Sequence, residues 1–219
     1  RIQTIDRQVF LSQGIDPRVY DIDSNDVFDG TSCEGKEAQI KVRVWDDAVD
    51  AWDMGDVAAQ WFSDFLAPDA PADLKRLRLA RFDPEQRRLS DPRWTGPIEA
   101  ENAFADAFPL LVTSTAGLDE FNRRLAATGH APVTMQRFRP NIVLDGLQPY
   151  DEDHIDELTL DAAGGPVRLR LVKPCTRCSI TTTNQVTGAV EGDEPLRTLR
   201  TYRWDATLRG VKFGQNLIV

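Results

Sequence analysis

The segment Lys173-Pro174-Cys175-Thr176-Arg177-Cys178-Ser179-Ile180-Thr181-Thr182-Thr183 carries the densest chemistry in the chain. Two cysteines at this spacing can face one metal ion. The arginine between them favours the thiolate, the form of sulfur that binds metals and attacks electrophiles. Taken bare, the spacing leaves three meanings open. It could be half of a tetrahedral zinc site, although no second Cys pair exists and His130 and His154 stand without ligand spacing. It could be a redox dithiol, for which the expected βαβ setting is missing. It could also be two small side chains packed in a core, a common fate of free cysteine.

The elements that must position this segment are short. Residues 40–45 (Ile-Lys-Val-Arg-Val-Trp) alternate apolar and charged side chains, the period of a half-buried strand, and residues 77–82 do so less strictly. Between them, Val57, Ala58, Trp61, Phe62, Phe65 and Leu66 recur at helical spacing behind Asp53-Met54-Gly55-Asp56, which contains helix-start residues. Ala67-Pro68-Asp69-Ala70-Pro71 ends that helix. The polar, Pro-containing residues 83–97 predict an irregular crossing, with one domain over 1–95 and a second over 96–219.

Residues 108–112 then read as an apolar strand, and Ser114 or Thr115 as the N-cap of a helix. Leu118, Phe121 and Leu125 form its buried stripe and Gly129 its stop. Residues 141–144 and 167–172 predict two more strands, the latter entered through the turn Gly164-Gly165-Pro166. Arg137 and Arg139 fall on a possible strand with their side chains outward and solvated. The acidic run Asp151-Glu152-Asp153 before His154 predicts a solvated loop, and Trp45, Trp52, Trp61, Trp94 and Trp204 are expected to pack. Many short strands with two or three helices predict a β-rich α+β fold, a barrel or sandwich with helices packed outside.

Composition narrows the function classes. A 219-residue chain with 41% hydrophobic residues can bury a proper core. Its net charge of -9 argues against a nucleic-acid-binding role, which needs a basic face, yet leaves room for a local basic pocket around a small anion. No run approaches the roughly 18–20 apolar residues that cross a bilayer, so no membrane role is expected. Nothing reads as a leader peptide; with Arg1 first and Val219 last, both natural ends are expected to lie beyond the sequence. Three cysteines, Cys33, Cys175 and Cys178, are too few for a disulfide framework, so a reducing compartment, the cytoplasm, is expected.

Beyond spacing, the residues carry a family likeness. Cys175-Thr176-Arg177-Cys178, Thr181-Thr182, the run Glu194-Pro195-Leu196-Arg197-Thr198-Leu199-Arg200-Thr201-Tyr202-Arg203 and Phe213-Gly214-Gln215-Asn216-Leu217 resemble the signature of the MOSC domain. Arg137-Phe138-Arg139-Pro140-Asn141 resembles that family's Arg-x-Arg-Pro-Asn element, and Asp106-Ala107-Phe108-Pro109 its Asp-x-x-Pro strand entry. Phe10-Leu11-Ser12-Gln13, Val44-Trp45-Asp46-Asp47 and Gly55-Asp56 resemble the β-barrel partner that precedes MOSC. The likeness is to the bacterial YcbX-type proteins, relatives of the mitochondrial amidoxime-reducing component. It implies a MOSC-type β-barrel with packed helices behind an N-terminal β-barrel subdomain.

The resemblance also implies chemistry. In the family the second cysteine, here Cys178, binds molybdenum, and a soft anionic sulfur suits a metal that changes oxidation state. Cys175 is then a packed strand residue. The other ligands would be the dithiolene of a molybdopterin and oxo or hydroxo groups. Arg139 and Asn141 match the family's cofactor-binding pair, and the permanently charged fork of arginine suits a phosphate. Thr176, Arg177 and Asp106 are further expected contacts, and Arg1 is set against another cofactor-binding arginine. The family's early Lys-Ser segment has no counterpart here.

The implied activity is reduction of N-hydroxylated compounds to amines or amidines by two electrons and two protons, the oxygen leaving as water. With three cysteines the chain cannot hold a four-Cys [2Fe–2S] centre beside the metal ligand. The electron donor is therefore expected to be a separate reductase or an iron–sulfur protein or domain. Two readings from other classes stand beside this one. The first is a sulfur-carrier or cofactor-delivery module holding a Cys178 persulfide; the second is a structural zinc or interaction domain.

Overall fold

The computed structural model describes residues 38–66 and 77–219. The chain divides into two compact units, Arg1–Gln86 and Arg87–Val219. Arg1, Phe10-Leu11-Ser12-Gln13, Cys33 and the expected helix stop at residues 67–71 lie outside the described residues.

In the first unit, β1 (Gln39–Val44), β2 (Asp47–Asp53) and β3 (Ala80–Phe82) form an antiparallel sheet in that order, with α1 (Gly55–Leu66) following β2. β1 alternates exposed and half-buried residues, as its sequence period requires. β2 had no clear sequence signal, because its three aspartates are poor strand formers. Its inward positions are nevertheless Val49, Ala51 and Asp53. Asp53 accepts a hydrogen bond from the Gly55 amide (2.9 Å) at the start of α1 and pairs with Arg78, whose guanidinium holds its carboxyl below the ordinary range. Trp45 is not buried as expected: it turns the chain between β1 and β2 at φ 55° and is 71% exposed.

In the second unit, the expected boundary at residues 95/96 falls within the polypeptide that hydrogen bonds tie together. The Ser90 amide donates to Ala100 O (2.8 Å) and the Asn102 amide to Arg88 O (2.9 Å). Buried Arg88 donates to Asn102 Oδ1 (2.8 Å), Ala103 O (3.0 Å), Ala105 O (2.5 Å) and Asp106 O (2.9 Å). Its side chain supplies donors where an irregular loop has no strand partner. The short helix α2 (Pro92–Thr95), capped by Asp91, sits inside this loop.

The main sheet runs β5-β4-β9-β7-β6, with β8 also paired to β9. Its strands are β4 (Leu110–Ser114), β5 (Ile142–Leu144), β6 (Glu157–Ala162), β7 (Gly165–Thr176), β8 (Trp204–Asp205) and β9 (Gly210–Ile218). β4 begins two residues later than its apolar run predicts. β9 pairs antiparallel with β4, β7 and β8, so it is the hub. Gly214 makes that position possible: it has φ +80°, and an added Cβ would lie 2.4 Å from Val112 O. Trp204 is 48% exposed, a second departure from expected packing, whereas Trp52, Trp61 and Trp94 are half-buried.

Helix α3 (Thr115–Ala127) begins where expected, with Ser114 Oγ accepting from the Gly117 amide (3.1 Å). Phe121 and Leu125, both fully buried, meet Phe138, Phe213, Leu199 and Val211 in the main core. Phe138 and Phe213 stack with ring centroids 3.9 Å apart. Each such side chain contributes on the order of 1.5–3 kcal/mol by leaving water. Helix α4 (Leu196–Arg200) packs on the same cluster through Leu196 and Leu199.

Two expectations fail here for a common reason. Residues 135–138 are a 3-10 turn (Met135–Phe138), not a strand with outward arginines, and Arg137 is buried. Asp151–His154 is likewise a 3-10 turn in which Glu152 is fully buried, not a solvated loop. In both, distant partners take charged side chains that composition alone would leave in water. Glu152 accepts from Ser114 Oγ (2.8 Å), and burial pushes its carboxyl above the ordinary value. Asp153 pairs with Arg203 (2.7 Å) and Lys212 (3.4 Å) and accepts from Gln215 Nε2 (2.7 Å). The result is a β-rich α+β fold with few helices, the expected class. Among the described residues no helix is long and apolar enough to cross a membrane.

Candidate functional site

β7 carries two register shifts, between Leu171 and Lys173 and between Pro174 and Thr176. Such irregularities bend a strand and re-aim its end. Cys175 stays half-buried within the strand, while Cys178 emerges exposed ahead of the 3-10 turn Ser179–Thr182. The threonines hold that turn. Thr181 donates to Cys178 O from its amide (3.3 Å) and its hydroxyl (3.0 Å), and Thr182 Oγ1 donates to Ser179 O (2.7 Å). The sulfur is therefore presented on a short, internally bonded corner.

A second corner faces it. Arg139 closes the Met135–Phe138 turn in the left-handed conformation (φ 54°, ψ 46°), uncommon for a residue with a side chain. Its guanidinium is exposed and makes no ion pair among the described residues. Two arginines join the corners. Arg177, next to Cys178, donates from Nη2 to Phe138 O (2.6 Å) and from Nη1 to Cys175 Sγ (2.9 Å). Arg137, two residues before Arg139, donates from Nη1 to Thr182 O (2.8 Å) and pairs through Nη2 with Glu191. Arg137 and Asn184 together hold the Glu191 carboxyl below its ordinary value, Asn184 contributing more.

The remaining expected contacts divide by where their polar atoms go. Asn141 extends the β4–β5 pairing: its amide donates to Leu111 O (2.9 Å) and its Oδ1 accepts from the Leu111 amide (2.9 Å). This leaves the Nδ2 protons for another acceptor. Asp106 is exposed in the bend before β4, with its carbonyl held by Arg88. Thr176 packs its methyl where Gly210 lacks a side chain; a Cβ there would come within 3.0 Å of it. The Arg177 amide donates to Val211 O (2.8 Å), and its Nε is buried without a hydrogen-bond partner. Arg177 thus spends most of its bonding capacity inside the protein, while Arg139 and Asn141 keep donors facing out.

The bonds of buried Arg137 to Thr182 O and Glu191 were missed by sequence reasoning. Their one signal is the arginine two residues before Arg139, and the acceptors are a backbone carbonyl and a distant carboxylate. Among the described residues no group of three or more His, Cys, Asp or Glu side chains is placed to hold a metal. Among the described residues, Cys178 therefore offers a metal a single sulfur ligand with no clustered companions. The exposed donors suit an anionic, acceptor-rich group in particular.

Comparison with known proteins places the chain in a family. The family model described as the MOSC domain matches residues 99–218, more than half of the chain. The mouse protein named mitochondrial amidoxime-reducing component 1 is 36% identical over 166 residues, 75% of this chain and 45% of that protein. Its human counterpart is 36% identical over 165 residues, 74% of this chain and 45% of that protein. The bovine mitochondrial amidoxime reducing component 2 is 34% identical over 153 residues, 69% and 41% of the two chains. The alignments thus span less than half the length of these curated relatives. The chain belongs to the MOSC domain family and is related to the amidoxime-reducing components.

Proposed function

We propose that this chain binds a molybdenum–molybdopterin cofactor through Cys178 and is the catalytic part of an oxidoreductase that converts N-hydroxylated compounds to amines or amidines. The observation that carries the reading is the exposed Cys178 sulfur on a corner tied to the one that bears Arg139, whose exposed guanidinium makes no ion pair among the described residues. The names of the relatives, amidoxime-reducing components, support the same substrate class.

The residues fit such a cofactor. Cys178 offers one soft anionic ligand, and the described residues offer no competing cluster of hard or nitrogen ligands. Arg139 supplies a permanent cation for a phosphate, and Asn141 Nδ2 supplies neutral donors to pterin acceptors. The Asp106 carboxylate is an acceptor for ring N–H groups. When bound, the cofactor supplies two-electron chemistry and a site for the substrate oxygen. The overall change takes two electrons and two protons per N–O bond cleaved and releases water. The electrons come from a separate reductase or an iron–sulfur protein or domain.

The test is production in a host that synthesises molybdopterin. Molybdenum near one atom per chain is expected. Cys178→Ala should stay folded and lose the reductase activity, whereas Cys175→Ala should lose much less. Labile sulfane sulfur on Cys178 without molybdenum would favour the sulfur-carrier reading, and zinc alone a structural site. Equal activity in the wild type and Cys178→Ala rejects the mechanism.

A further inference from the structure

Arg137 and Arg177 cross between the same two segments in opposite directions. Arg177, from the segment that ends in Cys178, reaches Phe138 O (2.6 Å). Arg137, from the segment that ends in Arg139, reaches Thr182 O (2.8 Å). Each acceptor lies within a few residues of the exposed side chain on the opposite corner. Arg137 is only 8% exposed, and its second Nη atom pairs with Glu191. Glu191 in turn donates its amide to Thr182 O (3.1 Å) and accepts from Asn184 Nδ2 (2.7 Å). The same guanidinium thus braces the 3-10 turn after Cys178 and the loop that returns from it.

A solvated arginine loses little by moving. A buried one with two fixed acceptors is a rigid strut, because the planar fork leaves few arrangements that satisfy both. An arginine kept only for fold stability would serve anywhere along these segments. This one and its reciprocal partner Arg177 lie within a few residues of Arg139 and Cys178, both exposed.

We propose that Arg137 is a positioning residue: with Arg177 it forms a reciprocal clamp that sets the Cys178 sulfur against the Arg139 guanidinium. The inference rests on the function proposed above. Arg137 touches neither cofactor nor substrate. It fixes the separation between the metal ligand and the cation that would hold the cofactor's phosphate, and small errors in such a separation reach the rate.

The test compares wild type, Arg137→Lys and Glu191→Gln as full chains. Lysine keeps the charge but cannot hold both acceptors. Cofactor-loaded proteins are assayed for molybdenum content and for reduction of a simple amidoxime with reduced viologen as electron donor. Cofactor-free proteins are followed by amide hydrogen exchange. Arg137→Lys is expected to retain molybdenum, to lower kcat about tenfold or more and to leave KM nearly unchanged. Exchange should quicken at Thr181, Thr183 and Glu191 while α3 stays protected. Glu191→Gln, which removes one of the two anchors, should move both readouts the same way by less. Should Arg137→Lys fail to fold, Glu191→Gln carries the test alone.

An active wild type whose folded variants keep its kcat, or show no faster exchange over residues 179–191, overturns the clamp and leaves the function standing. A wild type that takes up no molybdenum overturns both.

Discussion

Replacing Gly214 with alanine should loosen the main sheet at its hub. The added Cβ would sit 2.4 Å from Val112 O and 2.8 Å from Thr113 Cγ2. The first of these atoms is backbone on a paired strand, so no side-chain rotation relieves the clash. An L-residue at φ +80° also carries a left-handed penalty of about 1–2 kcal/mol. Forcing a methyl into a packed site costs about 1–3 kcal/mol more. Together the loss is about 2–5 kcal/mol, which corresponds to roughly 7–18 °C in Tm for a unit of this size. Gly164 is the control. It lies in the turn between β6 and β7 with open space around it and no positive φ, so Gly164→Ala should be neutral or stabilise by up to about 1 kcal/mol. Thermal unfolding of the two variants beside wild type, followed by circular dichroism, measures the contrast. Equal melting temperatures for Gly214→Ala and Gly164→Ala would refute the close approach of β9 to β4.

Glu152 gives a test with a defined sign. Its folded-state carboxyl lies above the ordinary value of 4.5 because burial disfavours the anion. The folded state therefore binds the extra proton, and the stability linked to it is full below pH 4.5 and is lost as pH rises through the folded value. Glu152→Gln removes the titration, so its stability relative to wild type should increase between acid and neutral pH in urea unfolding; a pH-independent difference would contradict the burial. Asp153→Ala leaves the Arg203 guanidinium, whose side chain is 9% exposed, without its counter-ion and should cost about 3–5 kcal/mol. A loss below about 1 kcal/mol, the range of a surface pair, would show that Arg203 is solvated instead.

How much of this was legible beforehand depended on where each residue's partners lie. Helix α3 was readable because its cap and its apolar stripe are local: Ser114, Phe121 and Leu125 fall within one short window. β1 was readable from its alternation. β9 was not, although it is the hub, because Lys212, Gln215 and Asn216 interrupt its apolar run. The partner of Gln215 lies 62 residues away, and that of Asn216 lies 43 away. The two 3-10 turns were misjudged for the same reason. At the site, Cys178, Arg139 and Asn141 could be picked out as a motif. The crossing of Arg137 and Arg177 could not, since a carbonyl acceptor leaves no trace in residue type.

Because β9 joins strands that precede it, with Leu217 opposite both Leu110 and Leu171, the β4–β5 and β6–β7 pairs cannot be joined until β9 has left the ribosome. Until then β4 and β7 present open backbone edges with nothing between them. Long-range closure of this kind is slow and exposes apolar surface while it is pending. Expression at low temperature, or with abundant chaperones, should accordingly improve the soluble yield more than any change near Cys178. The corner that carries the sulfur takes shape late as well, since the Arg177 amide needs Val211 O as its acceptor. Whatever binds at that corner can therefore be received only once β9 is in place.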